Sequence, residues 1–274
     1  MNVLHIDSPS TRTPASIPSD SGSHRFSTPI AFAAFGFLLL CTTLGQAAET
    51  HLPDRSHYSA PHAAIAPVID GDASDAAWDE ARWQTIGYRW LGPEYSAADF
   101  QGRFKVVWTG ERIYLLAEIV DDILYDAHRD PLVQYWDDDC LEIFVDEDFS
   151  GGEHHYNHNA FAYHFSLDNQ AIDIGTDRKA RNYSHHAQSQ WRQQGDKIIW
   201  EVSIDIYDDT YADAGDNDPV ALVAGKVIGL MVAYCDNDGS ELRENFIGSE
   251  SVPTGAKDRG YIDAGLFGKV VLDE

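Results

Sequence analysis

Phe104-Lys105-Val106-Val107-Trp108-Thr109-Gly110-Glu111-Arg112-Ile113-Tyr114-Leu115-Leu116-Ala117-Glu118-Ile119-Val120 reads as two β-strands joined by a turn. Phe104, Val106 and Trp108 recur at every second position and alternate with Lys105 and Val107. That is the period of an extended chain, whose side chains point to opposite faces in turn. Thr109 to Arg112 interrupts the pattern with a glycine and reads as a hairpin connection. In the second run Ile113, Leu115, Ala117 and Ile119 form one face. The other face, Tyr114, Leu116, Glu118 and Val120, is also mostly apolar, so this strand is expected at the centre of its sheet.

The same alternation extends outward. Leu141, Ile143 and Val145 alternate with Cys140, Glu142 and Phe144. Ile198, Trp200, Val202 and Ile204 repeat it, as do Ile228, Leu230, Val232 and Tyr234, and Phe267 to Leu272 closes the chain. Short strands separated by Asp, Gly and Asn clusters predict an all-β fold, an antiparallel, jelly-roll-like β-sandwich. One short N-terminal helix is expected at Ala76-Ala77-Trp78, with Asp72 or Ser74 as its cap. Trp78, Trp108 and Trp200 lie on apolar stripes and read as core. Tyr207 to Pro219 is acidic and reads as an exposed loop.

The N-terminus is different in kind. Residues 1–29 are rich in Ser, Thr and Pro, and the apolar run from Ile30 to Leu44 is followed by Gly45-Gln46-Ala47-Ala48. This reads as a signal peptide over 1–47, cleaved near Ala47, in a secreted or periplasmic protein with no membrane attachment after cleavage. The run is short of the ~20 residues that span a bilayer. A linker over 48–66 and one domain over 67–274 complete the organisation. Cleavage leaves two cysteines, Cys140 and Cys235; an oxidising compartment permits a disulfide, and the sequence leaves open whether the two meet.

The 274 residues carry a formal net charge of −26, with 43% hydrophobic and 12% aromatic residues. Such a chain has apolar material for a full core. Its charge repels nucleic acid and anionic membranes, and leaves neutral ligands and divalent cations open. Gly-x-Ser-x-Gly, His-Glu-x-x-His and phosphate-cradling glycine loops are absent. The 45 Asp and Glu residues are too many to single out a glycosidase pair.

Several segments together resemble a family 9 carbohydrate-binding module. They are Val68-Ile69-Asp70-Gly71-Asp72 with Asp75-Ala76-Ala77-Trp78, the hairpin above through Asp121-Asp122, Trp136-Asp137-Asp138-Asp139-Cys140-Leu141-Glu142-Ile143-Phe144-Val145-Asp146, and Ile228 through Asp236-Asn237-Asp238 with the Phe267-Gly268 tail. The resemblance covers nearly all of 65–274. It implies a β-sandwich with bound calcium and a slot between two aromatic rings that grips ends of xylan or glucan chains without cleaving them. In that scheme Trp136 is one wall, Tyr261 the other, and Glu142 bonds sugar hydroxyls. The family's arginine and asparagine on the neighbouring strand lack clear counterparts, and Tyr163 or His164 would stand in for them. Pyranose rings offer flat C–H faces to aromatic rings, and charged acceptors hold hydroxyls strongly. Asp146 and Asp148 are the first candidates for calcium, as hard oxygen donors on a turn. His154-His155-Tyr156-Asn157-His158 reads as a solvated loop. Two other readings stay open: a glycoside hydrolase or its accessory domain, and a haem-carrying electron-transfer subunit with axial ligands from the histidines or Met231.

Overall fold

The structure, a computed structural model, describes residues 55–274. The signal peptide expected over 1–47, its cleavage near Ala47 and the first part of the expected linker lie outside the described residues. Fourteen strands are described: β1 (His57–Ala60), β2 (Gln84–Ile86), β3 (Tyr88–Leu91), β4 (Phe100–Trp108), β5 (Arg112–Asp121), β6 (Cys140–Asp146), β7 (Phe161–Ser166), β8 (Ala171–Ile174), β9 (Ala180–Asn182), β10 (Ala187–Gln194), β11 (Lys197–Asp205), β12 (Val227–Asp236), β13 (Asn245–Gly248) and β14 (Gly268–Leu272). One sheet runs β1-β14-β12-β6-β7-β8-β9, with β13 and β3 attached at β12; the other runs β10-β11-β5-β4-β2. All pairings are antiparallel except β1 with β14.

The alternation read from the sequence is the reason for this packing. Phe104, Val106, Leu115, Ile143, Trp200, Val232 and Tyr234 all belong to the core between the sheets. Emptying the fully buried Trp200 site would cost on the order of 3–5 kcal/mol. β5 lies between β11 and β4, and its second face packs Tyr114 and Leu116 against Trp78, Val107 and Ile199. That explains why both of its faces are apolar.

Two expectations are corrected. The linker over 48–66 gives way at His57–Ala60, which pairs in parallel with β14 and buries Tyr58 and Ala60. A four-residue alternation inside a polar stretch is too short to stand out as a strand. The helix is a single 3₁₀ turn at Ala76–Trp78, preceded by Asp75, and no side chain caps it. The turn is held through its tryptophan instead: the buried Trp78 Nε1 donates to Glu201 Oε1 at 2.9 Å.

Candidate functional site

β6 and β7 pair so that Glu142 lies opposite His164. Their even-numbered residues Phe144 and Ala162 pack on the outer face of the larger sheet, while Leu141, Ile143, Tyr163 and Phe165 join the core between the sheets. A cleft of about 270 Å³ opens over that outer face. That is slightly below the ~300–1,000 Å³ range of small-ligand sites. Trp136, Tyr261, Glu142 and His164 all line it.

The rim is aromatic. Trp136 is 40% exposed and Tyr261 38%, so a large part of each ring meets solvent at the cleft mouth. Trp136 is braced edge-on by Tyr135 at 4.9 Å, and Tyr135 in turn by His164 at 4.7 Å. The loop bearing Trp136 is tied down at Asp137, whose Oδ1 accepts from the Arg243 backbone N–H at 3.2 Å. Gln134 and Tyr156 hold positive φ values of 49° and 65°, so non-glycine backbone strain flanks the cleft on two sides. Tyr261 sits on a segment clamped by His154. The His154 backbone N–H donates to Ile262 O at 2.8 Å, and its Nε2 stands 2.7 Å from Gly260 O. Gly260 is required there, because a Cβ would come within 2.6 Å of Met231 and 2.9 Å of Phe144.

The floor is charged and buried. Glu142 is 2% exposed and His164 6%, with His164 Nε2 3.1 Å from Glu142 Oε1. Burial pushes the Glu142 carboxyl well above the usual carboxylate range and holds His164 down at about 3. Arg243 reaches in from the β12–β13 turn. It donates to Cys235 Sγ at 3.2 Å and to Asp258 Oδ1 at 3.0 Å, and its guanidinium lies 4.0 Å over the Phe246 ring. Asp173, also in the cleft wall, accepts from the backbone N–H groups of Ala162 and Ile174 at 2.8 and 2.6 Å. Burial raises its carboxyl to about 7.

Tyr163 is not in the cleft. It is 1% exposed, points between the sheets, and its hydroxyl lies 2.8 Å from His186 Nδ1. Consecutive residues of a strand cannot both face one ligand, so Tyr163 and His164 were alternatives from the start, and the alternation of Phe161, Tyr163 and Phe165 marked which was inward. Arg243, Asp173 and Tyr135 had no local signal. Arg243 sits in an acidic turn far along the chain and reaches the site only through the β12–β6 pairing.

The segment expected as a solvated histidine loop is partly interior. His154 and His158 are 4% and 5% exposed, and His158 Nε2 stands 3.1 Å from Asp213 Oδ1. Short chain segments that clamp neighbouring loops look polar in sequence yet are buried by them. Met231 is fully buried among Phe144, Ala233 and Phe267, so its sulfur is a packing atom. Cys140 and Cys235 do meet: they are register partners on β6 and β12, both buried, both free thiols.

Asp146 and Asp148 serve their own turn. Asp146 Oδ2 accepts from Gly151 N at 2.8 Å and Oδ1 from Asp148 N at 3.3 Å, while Asp148 Oδ1 accepts from Ser150 N at 2.9 Å. A denser acidic group lies where β5, β6 and β12 end. Asp121, Asp139 and Asp236 bring carboxylate oxygens within 4.8 Å of one another, and so do Asp99, Asp236 and Asp238. Asp236 is 3% exposed, and among the described residues the buried Oδ1 atoms of Asp236 and Asp238 have no hydrogen-bond partner. Burial raises Asp139 to about 9, Asp236 to about 8 and Asp121 to about 6. Crowded carboxylates with orphaned lone pairs and no counter-charge fit a hard dication such as calcium. This donor set fits the ion better than Asp146 and Asp148 do.

Comparison with known proteins bears on what such a cleft belongs to. No curated protein matches the chain. A carbohydrate binding module family 9 from Caldicellulosiruptor kristjanssonii, solved in complex with cellotriose, superposes with a TM-score of 0.55 at 18% identity, over 80% of this chain and 94% of that one. The same module in complex with glucose gives 0.55 and 18%, over 80% and 96%. A putative carbohydrate-binding protein from Bacteroides uniformis gives 0.52 at 13% identity, over 80% and 100%. At these identities the likeness establishes the fold, a β-sandwich shared with those modules. Residues 69–274 match the family described as carbohydrate family 9 binding domain-like, and the chain belongs to that family.

Proposed function

We propose that the cleft binds the end of a β-linked glucan or xylan chain, or an oligosaccharide cut from one, and releases it unchanged. One observation carries this reading: two large, half-exposed rings, Trp136 and Tyr261, rim a sugar-sized cleft whose floor is lined with charged hydrogen-bonding groups. Rings stack on the C–H faces of a pyranose, and Glu142, Arg243 and Asp173 meet its hydroxyls. The Caldicellulosiruptor module, solved with cellotriose and with glucose, supports the choice of a glucan-type ligand. Trp136→Ala is expected to weaken cello-oligosaccharide or xylo-oligosaccharide binding by at least ~10-fold in calorimetry, with the melting temperature little changed. Equal affinity in the two proteins would discard the site.

Calcium belongs to this reading as a loop fastener. Asp121, Asp139, Asp236 and Asp238 would hold it, and it would supply the positive charge that the cluster lacks. Asp139 and Asp236 flank the two loops that bring Trp136 and Arg243 to the cleft.

The N-terminal apolar segment supports export, with the β-sandwich domain working in the periplasm or outside the cell. N-terminal sequencing of the exported product, expected to begin near Ala48, tests this.

A second reading is favoured by two carboxyls with raised pKa values, Glu142 and Asp173, in one cleft. Such groups serve glycoside hydrolases as general acids. New reducing ends released from xylan or β-glucan by purified protein would establish it, and none are expected from a pure binder.

A further inference from the structure

Beside Glu142 and His164 of the cleft floor lies the thiol of Cys235, which the sugar-binding reading does not use. Cys235 Sγ, His164 Nε2 and a Glu142 oxygen lie within 4.8 Å of one another, and all three residues are buried. His164 Nδ1 is 3.1 Å from the carbonyl oxygen of Ala162. A carbonyl can only accept, so Nδ1 carries the hydrogen and Nε2 presents its lone pair. That lone pair faces Glu142 Oε1 at 3.1 Å, and the other Glu142 oxygen is 4.0 Å from Cys235 Sγ. Two acceptors in contact need a positive particle between them. A proton on Glu142 serves the carboxylate and imidazole, and Arg243 donates to the sulfur, yet the three ligand-type atoms still converge within reach of one ion.

We propose that Cys235, His164 and Glu142 form a binding site for a thiophilic divalent cation of the zinc class, with its fourth position open to the cleft. Zinc takes sulfur at ~2.3 Å and nitrogen or oxygen at ~2.0–2.2 Å, so tetrahedral ligand edges come to about 3.3–3.6 Å. The 3.1 Å from His164 Nε2 to Glu142 Oε1 lies close to those edges, whereas the 4.0 Å from Cys235 Sγ runs to Oε2, so binding requires the Cys235 and Glu142 side chains to close on the ion. A ligating imidazole usually donates its other ring N–H to a carbonyl or carboxylate, which fixes its tautomer; Ala162 O plays that part here. Charge agrees in sign. A Glu142 carboxylate, a Cys235 thiolate, Asp173 and Asp258 surround the single guanidinium of Arg243, and a dication reduces that negative excess. Burial opposes a Cys235 thiolate, and the hydrogen bond from Arg243 Nη1 at 3.2 Å favours it.

The test is a titration of the reduced full chain with Co²⁺ alone, which needs no sugar, so its outcome is independent of the sugar-binding reading. One Co²⁺ per chain is expected, with a sulfur-to-cobalt charge-transfer band and the strong visible bands of a tetrahedral site. Zn²⁺ should displace it stoichiometrically. Cys140→Ser, which removes any disulfide partner from Cys235, should keep the bands. Cys235→Ser should lose the charge-transfer band, and His164→Gln should weaken binding by ~100-fold or more. Co²⁺ bound without a thiolate band in the wild-type chain overturns the proposal, whatever the variants do. So does a band that persists in a folded Cys235→Ser protein, since it would come from Cys41 or Cys140.

Discussion

Single residues divide the cleft from the core behind it. Trp136 and Tyr163 are both large aromatic residues near β6 and β7, yet one meets solvent and the other His186. Tyr163→Phe should therefore leave sugar affinity unchanged while costing about 1–2 kcal/mol in urea melts, because it strips the buried His186 Nδ1 of its partner. A fall in sugar affinity in that variant would show that the inward ring reports on the cleft. Arg243 is the opposite case: a single side chain bonds Cys235 and Asp258 and stacks on Phe246, so its position depends on three others. Arg243→Lys cannot reproduce the fork or the stacking.

At the scale of elements, β3 and β13 support the cleft from behind. Gly248 on β13 lies under the Trp90 ring, and an added Cβ would stand 1.9 Å from Trp90 Cζ2. The ring cannot step aside easily, since its Nε1 donates to Glu250 O at 2.9 Å and its edge packs on Phe246 at 4.8 Å. Gly248→Ala is expected to lower stability by about 1–3 kcal/mol in thermal or urea unfolding, and to weaken sugar binding through the displaced Phe246. The loops at the far ends of β6 and β12 are cross-tied, with Asn237 N donating to Asp139 Oδ1 at 2.8 Å and Asn237 Nδ2 to Asp137 O at 2.6 Å. If calcium fastens this junction, chelator should lower the melting temperature and weaken sugar binding together, and added Ca²⁺ should restore both. Sugar affinity that is untouched by chelator, in protein shown to have lost its calcium, would separate the ion from the cleft.

For the whole molecule, the balance of buried histidines sets a pH limit. Burial holds His154 at about 4, against 6.5 for a free imidazole. Between those values the unfolded chain binds a proton that the folded chain refuses. Stability from this group is complete above about 6.5 and falls as the pH drops towards 4, by up to ~1.4 kcal/mol per pH unit. His154→Gln should flatten the stability–pH curve in that window by close to one proton, measured as the difference in slope from wild type; parallel curves would refute the assignment. The fold itself was legible without coordinates. Alternation in Phe104–Trp108, Ile113–Val120, Leu141–Val145 and Ile228–Tyr234 specified strands, faces and the central place of β5, because period two is a local property of extended backbone. Trp136, Tyr261, Glu142 and His164 become candidates through the resemblance to family 9 modules, not through periodicity. Their convergence on one cleft, the inward turn of Tyr163, the arrival of Arg243 and Cys235 beside Glu142, and the gathering of Asp99, Asp121, Asp139 and Asp236 were decided only by the tertiary structure. Those meetings follow from strand register and from loop closures across roughly a hundred residues, and such long-range contacts leave no periodic trace in a single sequence.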